Sequence, residues 1–289
     1  MKQFINNDRF LGVRIKTCWV MALRPEANPV IEAFDMGLIS NELLFPIYMN
    51  LDNGHALVIS GVGSVKSAAG TTYLKSYLNV GRYAAWINFG IAGYYKEPTG
   101  ELYQAIKVEN YDNGKAFFPG LRFAKNVPGA PLLSVSKPAK NFPAKALYDM
   151  EAAGFCELAP SFSCNELTYV FKVVSDTPNT CASLLTNKMV TGQIEKNIGK
   201  ISKIMDLIDE LVKDEQKRII EPEEFQEFLS NYYFTESNRR QFWQVYRKWK
   251  SAFPDRTLNE LHYTPTSAKE LITNLEKDLI DEAKDWKLV

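Results

Sequence analysis

Short apolar runs that stop at a glycine or a carboxylate, separated by longer stretches of helical spacing, are the feature that most restricts the folds open to this chain. Residues 15–22, 56–60, 84–88, 102–109 and 169–175 are runs of this kind, rich in β-branched and aromatic side chains, and they predict strands. Residues 25–34 and 66–78 carry the intervening helical pattern, the first opening on Pro25, where a missing N–H costs nothing. Such alternation demands α/β layering. Residues 110–145 are rich in Pro, Gly and Asn and read as loops beside a site rather than as core.

From Val190 the apolar positions Ile194, Ile198, Ile201, Met205, Ile208 and Val212 step by four or three, which predicts one long helix packed on the sheet. Beyond residue 215 the strand signal stops. Residues 221–234, 236–253 and 266–286 read as polar helices with aromatic stripes. The expected organisation is an α/β domain over 1–214 and a helical C-terminal extension over 215–289, the latter short enough to make a marginal core alone.

Lys plus Arg and Asp plus Glu both number 34, so net charge favours neither nucleic acid nor an anionic membrane as partner. No apolar stretch approaches the length of a membrane helix, and residues 1–16 are too polar for a signal peptide. A cytoplasmic protein is expected. Its four cysteines, Cys18, Cys156, Cys164 and Cys181, lack metal-like spacing and are expected as reduced thiols. With His55 and His262 the two histidines, a multi-histidine metal site is not expected.

Chemistry should gather beyond the carboxyl ends of the strands. Glu26 follows the first run, Gly61-Val62-Gly63 the second, Gly90 to Tyr95 the third and Ser175-Asp176 the last. Gly61-Val62-Gly63 is not a dinucleotide fingerprint, because the third glycine is displaced to Gly70 and no acid ends the next run. A further acidic phrase, Asp149-Met150-Glu151, opens a small-residue stretch read as a helix over 149–158. A carboxylate at that helix start and a second at the last strand end are what a site needs to hold a sugar and protonate its leaving group.

Five phrases in order, Ala22-Leu23-Arg24-Pro25-Glu26, Ser60-Gly61-Val62-Gly63-Ser64-Val65, Asn88-Phe89-Gly90-Ile91-Ala92-Gly93, Asp149-Met150-Glu151 and Val174-Ser175-Asp176, resemble the nucleoside phosphorylase and nucleosidase superfamily. The resemblance covers about residues 15 to 212. It implies a mixed, partly barrel-like sheet flanked by helices, a small-molecule nucleoside substrate, a homodimer, and no cofactor. It implies Glu151 as acceptor of the ribose hydroxyl hydrogen bonds, Met150 packed on the sugar, Asp176 as the acid that protonates purine N7, and Glu26 as the base that activates water. Gly90, Ile91 and Ser175 line the expected site, and residues 133–138, with Ser136 and Lys137 as polar contacts, form the expected wall of the base pocket.

Two positions bear on the nucleophile. Phosphorylases of this kind carry Arg and Ser where this chain has Asn88 and Ile91, and an amide and an aliphatic group do not replace a bidentate cation and a hydroxyl. Hydrolysis is therefore expected. A phosphorylase with Arg24 as anion ligand, and a family member that binds a nucleoside without cleaving it, are the alternatives. The bland readings are a first-turn helix acid for Glu26, a helix-dipole charge for Glu151 and a turn cap for Asp176. In the extension, Arg239, Arg240, Trp243, Tyr246, Arg247, Lys248, Trp249 and Lys250 mix cations with aromatics as single-strand nucleic-acid binders do. An amphipathic helix with Phe242, Val245, Tyr246, Trp249 and Phe253 inward is the simpler expectation.

Overall fold

A computed structural model of the chain describes residues 15–39, 43–120, 122, 127–139, 142–180 and 184–285; Cys181 and Trp286 lie outside them. The chain divides into two compact units between Arg218 and Ile219.

The first unit is built on a ten-stranded sheet. Its strands are β1 (Thr17–Met21), β2 (Gly37–Leu38), β3 (Ile47–Asn50), β4 (His55–Ile59), β5 (Ala85–Tyr94), β6 (Leu102–Asn110), β7 (Ala116–Phe117), β8 (Gly129–Ser134), β9 (Leu147–Asp149) and β10 (Thr168–Asp176). Nine of them run in the order β10-β6-β8-β9-β5-β1-β4-β3-β2 and β7 pairs with β6 off this path; β10 also pairs with β5, closing β5, β9, β8, β6 and β10 into a five-stranded barrel. The helices of this unit are α1 (Arg24–Ala33), α2 (Ser64–Leu78), α3 (Ala152–Phe162), α4 (Asn187–Glu195) and α5 (Ile198–Ile219). This is the α/β, partly barrel-like architecture that the alternation and the resemblance imply.

The strand that makes closure work is β5. On one side it pairs in parallel with β10 from Trp86 to Gly93; on the other its first residues pair in parallel with β1 and its last residues antiparallel with β9. Strand pairing therefore carries residues 89–94 inside the sheet, and Gly90 and Ile91 lie in β5 rather than in a loop after it. A run that ends in Gly-Ile-Ala-Gly reads as a turn from sequence. Here the glycines instead make room for carboxylates that come from other elements.

Residues 110–145, read as loops, contain two strands, β7 and β8. In β8, Ala130 and Leu132 are buried, and Pro131 faces β6 next to a register shift between Ala105 and Lys107. That irregularity tolerates the N–H that proline lacks. Strand β3 went unread as well. Asp149 closes β9 instead of opening a helix, and the helix starts at Ala152.

The long helix expected from Val190 is two, α4 and α5, parted at Asn197. Asn197 is buried, and its amide donates to the carbonyls of Gly100 (2.9 Å) and Gln193 (2.9 Å). A side chain that bonds backbone in this way offers the chain an alternative to helical continuation.

The second unit holds α6 (Glu223–Asn231), α7 (Glu236–Ala252) and α8 (Ala268–Asp285). Phe225, Phe242, Trp249, Leu271 and Leu275 form its core, with the rings of Phe225 and Phe242 stacked at 4.5 Å. Thr235 caps α7, its hydroxyl accepting from the Asn238 N–H at 3.2 Å. Phe242, Val245, Tyr246 and Trp249 are buried as the amphipathic reading requires, and Phe253 is half-buried against them. The cations are engaged within the unit: Arg239 donates to both oxygens of Glu221 at 2.8 Å, Arg240 pairs with Glu236 at 3.1 Å, and the Arg247 guanidinium lies over the Trp243 ring. Arg239, Arg240 and Arg247 thus have partners within the unit.

Candidate active site

The seam between β5 and β10 organises the site. Lys172 stands directly opposite Gly90 in this parallel pair, and Asp176 opposite Gly93. Between Val174 and Asp176 the register shifts, leaving Ser175 as the extra residue, and a bulge of this kind re-aims the side chain that follows.

Glu26 sits in the first turn of α1 and is buried. One oxygen, Oε2, turns back to accept the Leu23 N–H at 2.8 Å, the bland helix-start role. The other, Oε1, reaches the sheet and accepts the Ile91 N–H at 2.9 Å. A Cβ on Gly90 would stand only 2.7 Å from that oxygen, so the glycine is what lets the carboxylate lie on the strand. Burial pushes the Glu26 carboxyl up to about 7; the Ile91 N–H and the Lys172 ammonium oppose the shift and Glu151 adds to it.

Glu151 occupies the N-cap position of α3, is buried, and makes no side-chain cap to that helix. Its Oε1 instead accepts the Gly63 N–H at 2.9 Å, at the N-terminus of α2. The two helices touch here, since a Cβ on Gly154 would fall 2.0 Å from the Ser64 carbonyl oxygen. Burial and the charge of Asp149 raise the Glu151 carboxyl, while Lys172 and the Gly63 N–H work against them.

The capping of α3 falls to Asp149, whose Oδ2 accepts the Ala152 N–H at 2.9 Å and the Lys172 ammonium at 2.8 Å. Lys172 and Asp149 are both buried. Burial alone would lower the lysine, but Asp149, Glu151 and Glu26 together hold it above its usual value. Neither member of this pair was singled out from sequence. The signal was there: a lysine inside the run Tyr169-Val170-Phe171-Lys172-Val173-Val174 has to be buried, and buried lysines are paired.

Asp176 is buried at the end of β10. Its Oδ1 accepts the Ser175 hydroxyl at 2.5 Å, and the same hydroxyl lies 3.2 Å from the Ala92 carbonyl. Burial raises its carboxyl and the Ser175 hydrogen bond opposes the shift. The following turn is capped by Thr180, whose hydroxyl accepts the Thr177 N–H at 2.9 Å, so Asp176 is not needed there. A Cβ on Gly93 would meet both Asp176 Oδ2, at 3.0 Å, and the Phe142 ring, at 2.4 Å.

The structure thus groups Glu26, Glu151, Asp149 and Lys172 around Gly90 and places Asp176 and Ser175 three register steps along the same seam. Met150 is half-buried beside Glu151, and Ile91 is half-buried with its N–H committed to Glu26. Ser136 and Lys137 lie in an exposed bend past β8, where the Val135 N–H bonds the Asp149 carbonyl at 2.7 Å. Tyr94, Tyr95 and Tyr103 pack on one another, with ring centroids 4.7 and 4.9 Å apart. Arg24 is exposed and donates to the Tyr48 hydroxyl. Asn88 is buried, with its amide N–H on the Val20 carbonyl at 3.0 Å. Among the described residues no group of His, Cys, Asp and Glu could hold a metal ion, and no helix is long and apolar enough to cross a membrane. His55 is a core residue, its Nδ1 accepting the Trp19 indole N–H at 3.0 Å.

The barrel, extended on one side by β1, β4, β3 and β2, is a fold shared with solved structures of nucleosidases. Futalosine hydrolase of Helicobacter pylori superposes with a TM-score of 0.55 at 14% identity, over 67% of this chain and 98% of that one. A putative 5'-methylthioadenosine/S-adenosylhomocysteine nucleosidase of Francisella philomiragia gives 0.56 at 14% identity, over 66% and 98%. The corresponding nucleosidase of S. pneumoniae, bound to a transition-state inhibitor, gives 0.53 at 17% identity, over 68% and 99%. No family model matches the sequence. No curated protein matches it either.

Proposed function

We propose that the first unit hydrolyses the N-glycosidic bond of a purine nucleoside or nucleoside thioether. The observation that carries the reading is Glu26: a buried carboxyl with a protonation midpoint of about 7, pinned to the strand by the Ile91 N–H beside a second buried carboxylate, Glu151. A base with its midpoint near neutral pH is matched to taking a proton from water. Glu151 keeps lone pairs for the ribose hydroxyls, and Met150 packs on the sugar. Asp176, held toward its protonated form by burial, delivers its proton to purine N7 as the glycosidic bond breaks, and the water that Glu26 deprotonates takes the anomeric carbon. Ser136 and Lys137 contact the outer edge of the base. A cytoplasmic homodimer completes the proposal, on the strength of the resemblance.

Charge favours water over phosphate. Glu26, Glu151 and Asp149 surround Lys172, and that ammonium is already paired with Asp149. A phosphate anion entering such a site would meet uncompensated negative charge in a dry setting. Release of free base from a panel of purine nucleosides, with and without phosphate, tests the reading. Release without phosphate is expected, and Asp176→Asn should abolish it while leaving the melting temperature within about 2 °C. Strict phosphate dependence would replace hydrolysis by phosphorolysis; tight nucleoside binding with no release under either condition would make the protein a binder.

A further inference from the structure

Four ionisable side chains meet under Gly90, and the proposed mechanism uses two of them. In a parallel pair, residues in register point to the same face, so Lys172 projects to the side of β10 on which Glu26 lies over Gly90. Left to itself, a buried ammonium there would bind Glu26 or Glu151. The hydrogen bond it makes is instead to Asp149, at 2.8 Å, and the Asp149 oxygen that receives it is also fixed by the Ala152 N–H at 2.9 Å. Asp149 is anchored from both sides, by the end of β9 and by the first turn of α3.

We infer that Asp149 is a positioning residue that draws the Lys172 ammonium away from the Glu26 and Glu151 carboxylates and so governs how many protons that pair retains. The inference rests on the reading of Glu26 as the base. Its chemistry is a matter of charge count: three buried carboxylates share one ammonium, and the cation is committed to the carboxylate with no proposed contact to substrate. Burial is the larger cause of the raised Glu26 and Glu151 midpoints, and Lys172 opposes both. The charged and titratable groups facing the cluster are Glu26 from α1, Lys172 from β10, Asp149 and Glu151 between β9 and α3, and the buried thiol of Cys156 on α3, which senses Asp149 and Lys172. Strand β5 presents only the uncharged Gly90 and Ile91. On the neighbouring helices Lys66 of α2 and Lys188 and Glu195 of α4 are exposed.

The arrangement predicts opposite shifts from two single substitutions. Asp149→Asn keeps an acceptor for the Ala152 N–H but removes one negative charge, freeing Lys172 to neutralise the pair; the Glu26 midpoint should fall by about one pH unit or more. Lys172→Met removes the cation and should raise it by a similar amount, whereas Lys172→Arg should leave it near the wild-type value. The readout is the pH titration of side-chain carboxyl carbons in full-length protein carrying glutamate labelled at Cδ with carbon-13, Glu26 being assigned by the resonance lost in Glu26→Gln. A purely structural role for Asp149 would lower the melting temperature without moving that midpoint. An unmoved midpoint in both Asp149→Asn and Lys172→Met would overturn the inference. Should Asp149→Asn not fold, Lys172→Met decides alone: a rise supports the inference and no change refutes it. The titration needs no substrate, so shifts in both variants with no base release at any pH would leave this inference standing and remove the nucleosidase reading. Base release with the same acid limb in wild type and both variants would do the reverse.

Discussion

Gly90→Ala is the sharpest perturbation the site offers, because it adds one carbon at a known place. The new Cβ would stand 2.7 Å from Glu26 Oε1 and 3.2 Å from its Cδ, so the oxygen contact falls about 0.7 Å short of ordinary van der Waals distance. The strand is held, since Gly90 and its neighbours Phe89 and Ile91 all pair in register with β10. The carboxylate has to move, and both of its hydrogen bonds, to Ile91 and Leu23, are then strained or lost. Overpacking of this sort costs about 2 kcal/mol, or a drop of about 4–8 °C in Tm for a unit of this size. Misplacing a catalytic group by nearly an ångström costs roughly a hundredfold in rate. The assay pairs thermal denaturation with kcat/KM for base release. Glu26→Asp in the Gly90→Ala background, which withdraws the carboxylate by one methylene, should recover most of the lost Tm without recovering the rate. Wild-type Tm and kcat/KM in Gly90→Ala would refute the claim that Glu26 lies on this strand.

Stability and activity should respond to pH in opposite directions. The folded-state Glu26 midpoint of about 7 lies above the ordinary glutamate value of 4.5, so its contribution to stability is present in full below pH 4.5 and is lost as pH rises through 7. The loss is on the order of 3 kcal/mol. Glu26→Gln should therefore flatten the fall in stability between pH 5 and 8 measured by urea denaturation, while wild-type kcat/KM rises over the same window; parallel stability curves for the two proteins would rule this out. Gly154→Ala places a methyl 2.0 Å from the Ser64 carbonyl oxygen and should cost about 3 kcal/mol or more by forcing α2 and α3 apart, with an unchanged denaturation midpoint as the contrary result.

Most strands that could be read from sequence are buried on both faces, as in the run Trp19-Val20-Met21, and β6 was read although its outer face is partly exposed. Those that could not are strands whose pattern is broken for a structural reason. Pro131 and exposed positions interrupt β8, yet parallel partners on both sides hold it in the sheet. In β5 the glycines imitate a turn because the space they leave is filled by Glu26 and Asp176, which arrive from α1 and β10. No local rule contains that information. The break at Asn197 has the same character, because the Gly100 carbonyl that fixes its amide is far away in sequence. Helical periodicity registers Ile194, Ile198 and Ile201 as one face and is blind to what parts them.

For the site, sequence supplied the carboxylates and left out what fixes their charge. Glu26, Glu151 and Asp176 stand in phrases whose order is recognisable, whereas Lys172 is embedded in an apolar run and Asp149 was taken as the start of a helix. The inferred tuning of Glu26 rests on that pair. Burial holds the Glu26 carboxyl near 7, and the Lys172 ammonium, paired with Asp149 at 2.8 Å, opposes that shift without cancelling it. Glycine at position 90 belongs to the same cluster, since a larger residue would separate Glu26 from β5, where Gly90 stands opposite Lys172. Positions 90, 149 and 172, distant in sequence, come together beside Glu26 only in the fold, which is why a search for catalytic residue types finds the proposed base but not the groups around it.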